Sequence, residues 1–301
     1  MAYKKLLVPL DGSPLAEKAL PYATYIAKKH GSEIFLLSIG SAPGSERITA
    51  LSRAYLELKA EKLKVEGIKT TTEIVYGGGV ADRIVEYAEK NDVDMIAICT
   101  HGYSGFKRLM LGSVAEKVIG STNCPVLMIR PGSREEVIGL GRILLPLDGS
   151  FFSEAAVPYA AEMALGTGAT ITLLAVTEVP NVPSDRSPDI KPSWEEYREA
   201  LTQEAKQQAE VYLNRVKAEI EKKKVKVVCQ VVVGDISGGI CDVADCQNVD
   251  MVVMATHGRT GVSRLVFGSV ARRIADESCQ PVLLVRPEED RTGGPLKNAD
   301  S

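Results

Sequence analysis

The chain has 301 residues, a length that suits about two domains. Hydrophobic residues make up 45% and charged residues 25%, an ordinary globular balance that can supply a sizeable core. A formal net charge of −3 and an aromatic content of 5% exclude a global basic field and base-stacking platforms, so no nucleic-acid partner is expected.

In chain order, Lys4–Leu10 is a short apolar run closed by turn residues, the pattern of a buried strand. Ser13-Pro14 reads as the N-cap and first position of a helix that runs to about His30 and stops at Gly31. Then follow a strand at Glu33–Ile39, a charged amphipathic helix at Arg47–Glu66 and a strand at Lys69–Tyr76. Val80–Asn91 reads as a helix, Asp94–Cys99 as a strand, Ser113–Ser121 as a helix and Pro125–Arg130 as a last strand. Strands recur near Arg142–Leu147, Ala169–Val176, Val225–Val233, Asp250–Ala255 and Pro281–Arg286. A proline-rich polar stretch, Thr177–Pro192, precedes a long charged helix from about Ser193 to Lys223. That stretch reads as a solvated excursion or as a lid or partner surface. Strand–helix alternation with apolar strands implies parallel sheets covered on both faces.

The chain repeats itself. Leu10-Asp11-Gly12-Ser13 recurs as Leu147-Asp148-Gly149-Ser150, an offset of 137. Thr100-His101-Gly102 recurs as Thr256-His257-Gly258, and Gly112-Ser113 as Gly268-Ser269, an offset of 156. The difference is a 19-residue insertion in the second half. The expected architecture is α/β: two open, mostly parallel five-stranded sheets with helices on both faces, Rossmann-like and duplicated in tandem. The expected domains are 1–138 and 139–288, with the insertion near 177–200 and a flexible tail at 289–301.

Apolar runs such as Met251–Ala255 fall far short of the roughly 20 residues that span a bilayer, so no membrane partner is expected. Leu6–Leu10 is interrupted by Pro9 and followed by Asp11, unlike a signal peptide. The six cysteines form no disulfide-like pattern. A cytoplasmic, reduced protein is expected.

No Gly-Lys dipeptide exists, so a Walker P-loop is excluded. G-x-S-x-G and H-E-x-x-H are absent too. What remains is the segment after the fourth strand of each half. Cys99-Thr-His-Gly102 is followed by nine residues and Gly112-Ser113; Ala255-Thr-His-Gly258 is followed by nine residues and Gly268-Ser269. Each is a long loop from the carboxyl end of a parallel strand to a helix N-terminus, whose free N–H groups and dipole favour an anion. Arg108 and Arg264 occupy matching loop positions, and Arg259 stands where the first half has Tyr103. Asp11 and Asp148 end the first strand of each half, and strands one and four flank the switch point where ligands bind in open α/β sheets. An acidic group for a base or ribose beside an anion cradle suits a nucleotide. Other readings stand beside this one. Asp11 and Asp148 can form Asx-turns, and Ser113 with Glu116 spells a capping box that Ser269 with Arg272 lacks. His101 and His257 can be turn residues without a nucleophile to serve.

These residues resemble the universal stress protein family in its tandem two-domain form. The family's nucleotide motif is G-x-x-G, nine residues, G-[S/T]. Both halves match its last three elements, and Cys99 or Ala255 replaces its first glycine. The resemblance implies ATP or another adenine nucleotide, with adenine and ribose near Asp11 and Asp148. It implies phosphate contacts from Gly102, Gly112, Ser113, Gly258, Gly268 and Ser269. It also implies that the final strands pair the two domains edge to edge, with a homodimer and a further protein partner left open. Mg²⁺ is expected to assist, because helix N-termini and arginines neutralise phosphates only partly. Three functions follow: an ATP-binding regulatory or stress-response protein with little or no turnover, a slow ATPase or phosphotransferase, or a ligand-free dimerisation module. The loops hold no carboxylate between Gly102 and Ser113 or between Gly258 and Ser269, which favours binding over catalysis.

Overall fold

The computed structural model describes residues 3–40, 46–100, 111–133, 139–180, 193–257 and 267–287. The first half runs β1 (Lys5–Pro9), a 3₁₀ turn (Ala16–Lys18), α1 (Ala19–His30), β2 (Glu33–Gly40), α2 (Glu46–Val65), β3 (Thr70–Tyr76), α3 (Val80–Lys90), β4 (Met95–Cys99), α4 (Ser113–Ser121) and β5 (Val126–Ile129). The second runs β6 (Arg142–Pro146), α5 (Phe151–Glu154), α6 (Val157–Thr167), β7 (Thr170–Thr177), α7 (Trp194–Glu221), β8 (Lys226–Val233), α8 (Ile236–Cys246), β9 (Met251–Ala255), α9 (Ser269–Glu277) and β10 (Val282–Val285). Residues 134–138 beside the expected domain boundary, 181–192 of the insertion and 289–301 of the tail lie outside the described residues. Among the described residues, no helix is long and apolar enough to cross a membrane.

The two expected five-stranded sheets are joined into one of ten strands, ordered β3-β2-β1-β4-β5-β10-β9-β6-β7-β8. All neighbours are parallel except β5 and β10, which run antiparallel with Met128, Leu127 and Val126 opposite Val282, Leu283 and Leu284. Leu127 and Leu283 are the same position of the repeat, so they mark a local two-fold axis. The central strands are continuous apolar runs buried on both faces, as a covered parallel sheet requires. One face packs against α1, α2, α6 and α7, and the other against α3, α4, α8 and α9. Each core layer is continuous across both halves.

The first α-helix of the first half starts later than the Ser13-Pro14 pattern suggests. Proline lacks an N–H and clashes with the carbonyl four residues before it. A helix running from Pro14 would hold Pro21 in its interior. Starting at Ala19 places Pro21 in the first turn, where its N–H is not needed, and leaves a 3₁₀ turn before it. Ser13 still caps, but it caps that turn: the Ala16 N–H donates to Ser13 Oγ at 3.1 Å. The second half repeats the break, with α5 ending before α6 places Pro158 in its first turn. The long helix α7 opens with a capping box between Ser193 and Glu196, and its C-terminal half buries Leu213, Val216 and Ile220.

Away from the sheet, α1 packs on α6. The Tyr3 hydroxyl donates to the Tyr159 carbonyl at 2.9 Å, and its ring meets His30 edge-on with centroids 5.3 Å apart. The His30 imidazole fills the space over Gly166, where a Cβ would overlap the ring. Burial holds the His30 pKa below its usual value; Glu162 opposes this and Lys4 reinforces it.

Candidate functional site

The chain runs outward from β1 to β2 and β3, then crosses back to lay β4 on the other side of β1. Leu6 pairs with Met95 and Leu7 with Ile96. In the second half, Ile143 pairs with Met251 and Leu144 with Val252. These are the switch points, where successive connections leave on opposite faces and open a crevice at the carboxyl ends of the strands. Asp11 and Gly112 therefore lie at one carboxyl edge, and Asp148 and Gly268 at its twin.

At the end of β1, Asp11 Oδ1 accepts the Ser13 N–H at 2.9 Å. Asp148 Oδ1 accepts the Ser150 N–H at 2.9 Å and the Ser150 hydroxyl at 2.6 Å. Both acids thus make the Asx-turn weighed from sequence. Gly12 and Gly149 carry the turn at φ 81° and 84°, a region that disfavours side chains. The turn engages one carboxylate oxygen and fixes the acid at the strand end.

At the end of β4, the Gly112 N–H donates to the Thr100 carbonyl at 2.8 Å; the Gly268 N–H donates to the Thr256 carbonyl at 2.9 Å. These bonds fold the loop ends back onto the strands. Gly112 and Gly268 are the N-caps of α4 and α9, and among the described residues no side chain caps either helix. The capping box expected from Ser113 and Glu116 is therefore not formed. Ser113 is the first helical residue rather than the N-cap, which puts Glu116 one position beyond the box. Ser269 stands likewise at the start of α9. Uncapped first turns leave N–H groups and the positive end of the dipole to an anion. Close approach demands glycine at 268, because a Cβ there would come within 2.9 Å of the Thr256 carbonyl oxygen.

Cys99 and Ala255 end β4 and β9 as buried residues on the floor beneath these turns. Thr256 Oγ1 lies 3.1 Å from His257 Nδ1, in keeping with a turn role for that histidine. Gly102, Arg108, Gly258, Arg259 and Arg264 lie outside the described residues.

Two contacts at the junction could not be read from the motif. Glu116 of α4 pairs with Arg272 of α9 at 2.9 Å, and the two are equivalent positions of the repeat. The Leu111 N–H, next to the Gly112 cap, donates to Asp276 Oδ1 of the second half at 3.0 Å. A carboxylate thus reaches the first loop from 165 residues away. The only sequence signal was a mismatch between repeats, since Gly120 stands at the position equivalent to Asp276.

The sequence model of the universal stress protein family matches residues 2–130 and 139–286. A universal stress protein of Methanocaldococcus jannaschii is 34% identical over 148 residues, spanning 44% of this chain and 85% of that protein. One from Mycolicibacterium smegmatis is 25% identical over 302 residues, spanning 94% of this chain and 97% of that one. The crystal structure of a universal stress protein from Archaeoglobus fulgidus superposes with a TM-score of 0.72 at 21% identity, covering 95% of this chain and 99% of that one. That last likeness concerns the fold alone. Two family matches, one on each half, cover nearly the whole chain: the chain belongs to the universal stress protein family and carries its domain twice.

Proposed function

We propose that this is an ATP-binding regulatory or stress-response protein with one adenine-nucleotide site in each half and little or no turnover. The observation that carries the reading is the glycine-capped N-terminus of α4 and of α9, which no described side chain caps, each at a switch point. The residues present suit a polyphosphate: at Gly268 the backbone packs so closely on the Thr256 carbonyl that only glycine fits, which leaves the helix start without a Cβ. In this reading Asp11 and Asp148 take the base or ribose. Gly112 and Ser113, with Gly268 and Ser269, take phosphate oxygens through backbone N–H and hydroxyl groups. Gly102, Arg108, Gly258, Arg259 and Arg264 complete the phosphate shell, and Mg²⁺ neutralises the charge they leave.

Efficient phosphoryl transfer needs a water-positioning group and metal ligands at the γ-phosphate. Neither loop contains an Asp or Glu. Asp276 reaches the first loop, but its carboxylate accepts the Leu111 N–H. Turnover below the ~1 s⁻¹ floor of ordinary kinases is expected. Isothermal titration of nucleotide-stripped protein with ATP and Mg²⁺ tests the reading. Saturable heat with slow steady-state hydrolysis supports it. Fast hydrolysis would make the protein an enzyme, and no heat up to millimolar ATP would leave a ligand-free pairing module.

A further inference from the structure

We infer that Asp276, in the second half, is a positioning residue of the first half's site, holding the turn that opens α4 through the Leu111 N–H. The inference rests on the nucleotide reading above. Leu111 and Gly112 are consecutive, and both amides are anchored. The Gly112 N–H is held by Thr100 of its own half, and the Leu111 N–H by the Asp276 carboxylate across the junction. Together they fix the peptide planes that lead into the uncapped first turn of α4.

Asp276 is placed against a local helix rule, and groups of the first half offset it. It lies in the last turn of α9, which has no basic residue, so its charge faces the negative end of the helix dipole. Its neighbour Glu277 is paired with Arg273 within the helix. Asp276 instead reaches over the junction. Its backbone is tethered there as well: Arg130 Nη1 of the first half donates to the carbonyl of Asp276 and, at 3.3 Å, to that of Ser278. A breach of a local rule offset by long-range contacts from the other half is the signature of a positioned group.

The twin shows what is missing on the other side. Arg286 Nη1 donates to the Gly120 carbonyl at 3.2 Å, the mirror image of the Arg130 tether. Position 120 therefore stands to the second half as position 276 stands to the first. Gly120 has no side chain to offer Phe267, the equivalent of Leu111. The first site is braced by a side chain of its partner half, and among the described residues the second has no such brace. An opposing effect is the repulsion between the Asp276 charge and a phosphate bound one turn away. Charge and acceptor can be separated, because asparagine keeps an acceptor oxygen and loses the charge.

The test is hydrogen exchange of the full chain with mass spectrometry, without nucleotide and across an ATP–Mg²⁺ titration, reading residues 111–116 and 267–272 separately. Asp276→Ala should speed exchange at 111–113 in the nucleotide-free protein. It should also raise the ATP needed to protect that segment roughly five- to tenfold, the size of one lost hydrogen bond, with 267–272 unchanged. Asp276→Asn should restore both. A Cβ at Gly120 meets nothing within 4 Å, so Gly120→Asn can be accommodated. It should slow exchange at 267–269 and lower the ATP needed there. Unchanged exchange in Asp276→Ala, or tighter ATP binding in both Asp276→Ala and Asp276→Asn, would overturn the inference. ATP that protects neither segment of the parent would defeat the nucleotide reading, while exchange at 111–113 in the nucleotide-free variants would still decide whether Asp276 holds the turn.

Discussion

The two halves share strand order, switch point and glycine-capped helix, yet they differ at the positions that meet across the β5–β10 junction. Glu116 faces Arg272, and Asp276 stands where the repeat has Gly120. In a pair of identical chains, a residue near the two-fold axis meets its own copy, so a charge there would meet a like charge. A duplicated chain is released from that constraint. One copy can carry Glu and the other Arg, and one copy can lend a carboxylate that the other does not return. Duplication thus turns a symmetric interface into a complementary one, and with it gives the starts of α4 and α9 different contacts.

The comparison can be broken most forcefully at its axis. Leu283 is fully buried opposite Leu127, and Leu283→Ala should cost about 2–5 kcal/mol. Because each core layer spans both halves, chemical denaturation should show one lowered transition, with hydrogen exchange faster in both halves. Weakening confined to the second half would mean that the halves are independent. Next in size is the α1–α6 contact. Gly166→Ala forces the His30 ring to move, and an overpacked contact costs about 1–3 kcal/mol; His30→Ala in the same chain should return part of that loss. Smaller still is the Glu116–Arg272 pair, whose side chains are 44% and 43% exposed, so that water screens it. Glu116→Arg should cost less than about 1 kcal/mol, and the exchanged pair, Glu116→Arg with Arg272→Glu, should recover it in a double-mutant cycle.

The finest difference is a slope. The folded chain holds His30 below its ordinary pKa of 6.5, mainly by burial. Above that value both folded and unfolded chains carry neutral His30 and the stabilisation is complete. As pH falls, the unfolded chain binds a proton that the folded chain refuses, and stability declines until the folded pKa is passed. Denaturation midpoints compared between about pH 7.5 and 5.5 should fall more for the parent than for His30→Gln. Equal declines would remove His30 from the account.

Strands and helices were legible because each is a short apolar run or an amphipathic stretch, and Ser113–Ser121 matches its expected bounds. The repeat made the second half legible from the first. The late start of α1 was written in Pro21 and the break between α5 and α6 in Pro158, prolines whose positions mean little until the helix start is known. The Ser113 capping box failed because Gly112 took the N-cap, a one-residue shift that motif spacing does not resolve. Motif positions Gly112, Ser113, Gly268 and Ser269 were brought to helix starts, and Asp11 and Asp148 to strand ends. Asp276 stayed hidden because its importance comes from a partner 165 residues away, and only the antiparallel junction brings them together.

The proposed function puts one nucleotide at the glycine-capped helix start of each half. Native mass spectrometry of nucleotide-stripped protein with added ATP and Mg²⁺ counts the ligands directly. The account predicts two nucleotides on the parent, one on Gly268→Val, where the new side chain would strike the Thr256 carbonyl, and one on Gly112→Val. No bound nucleotide on the parent, or two retained on both variants, would contradict it.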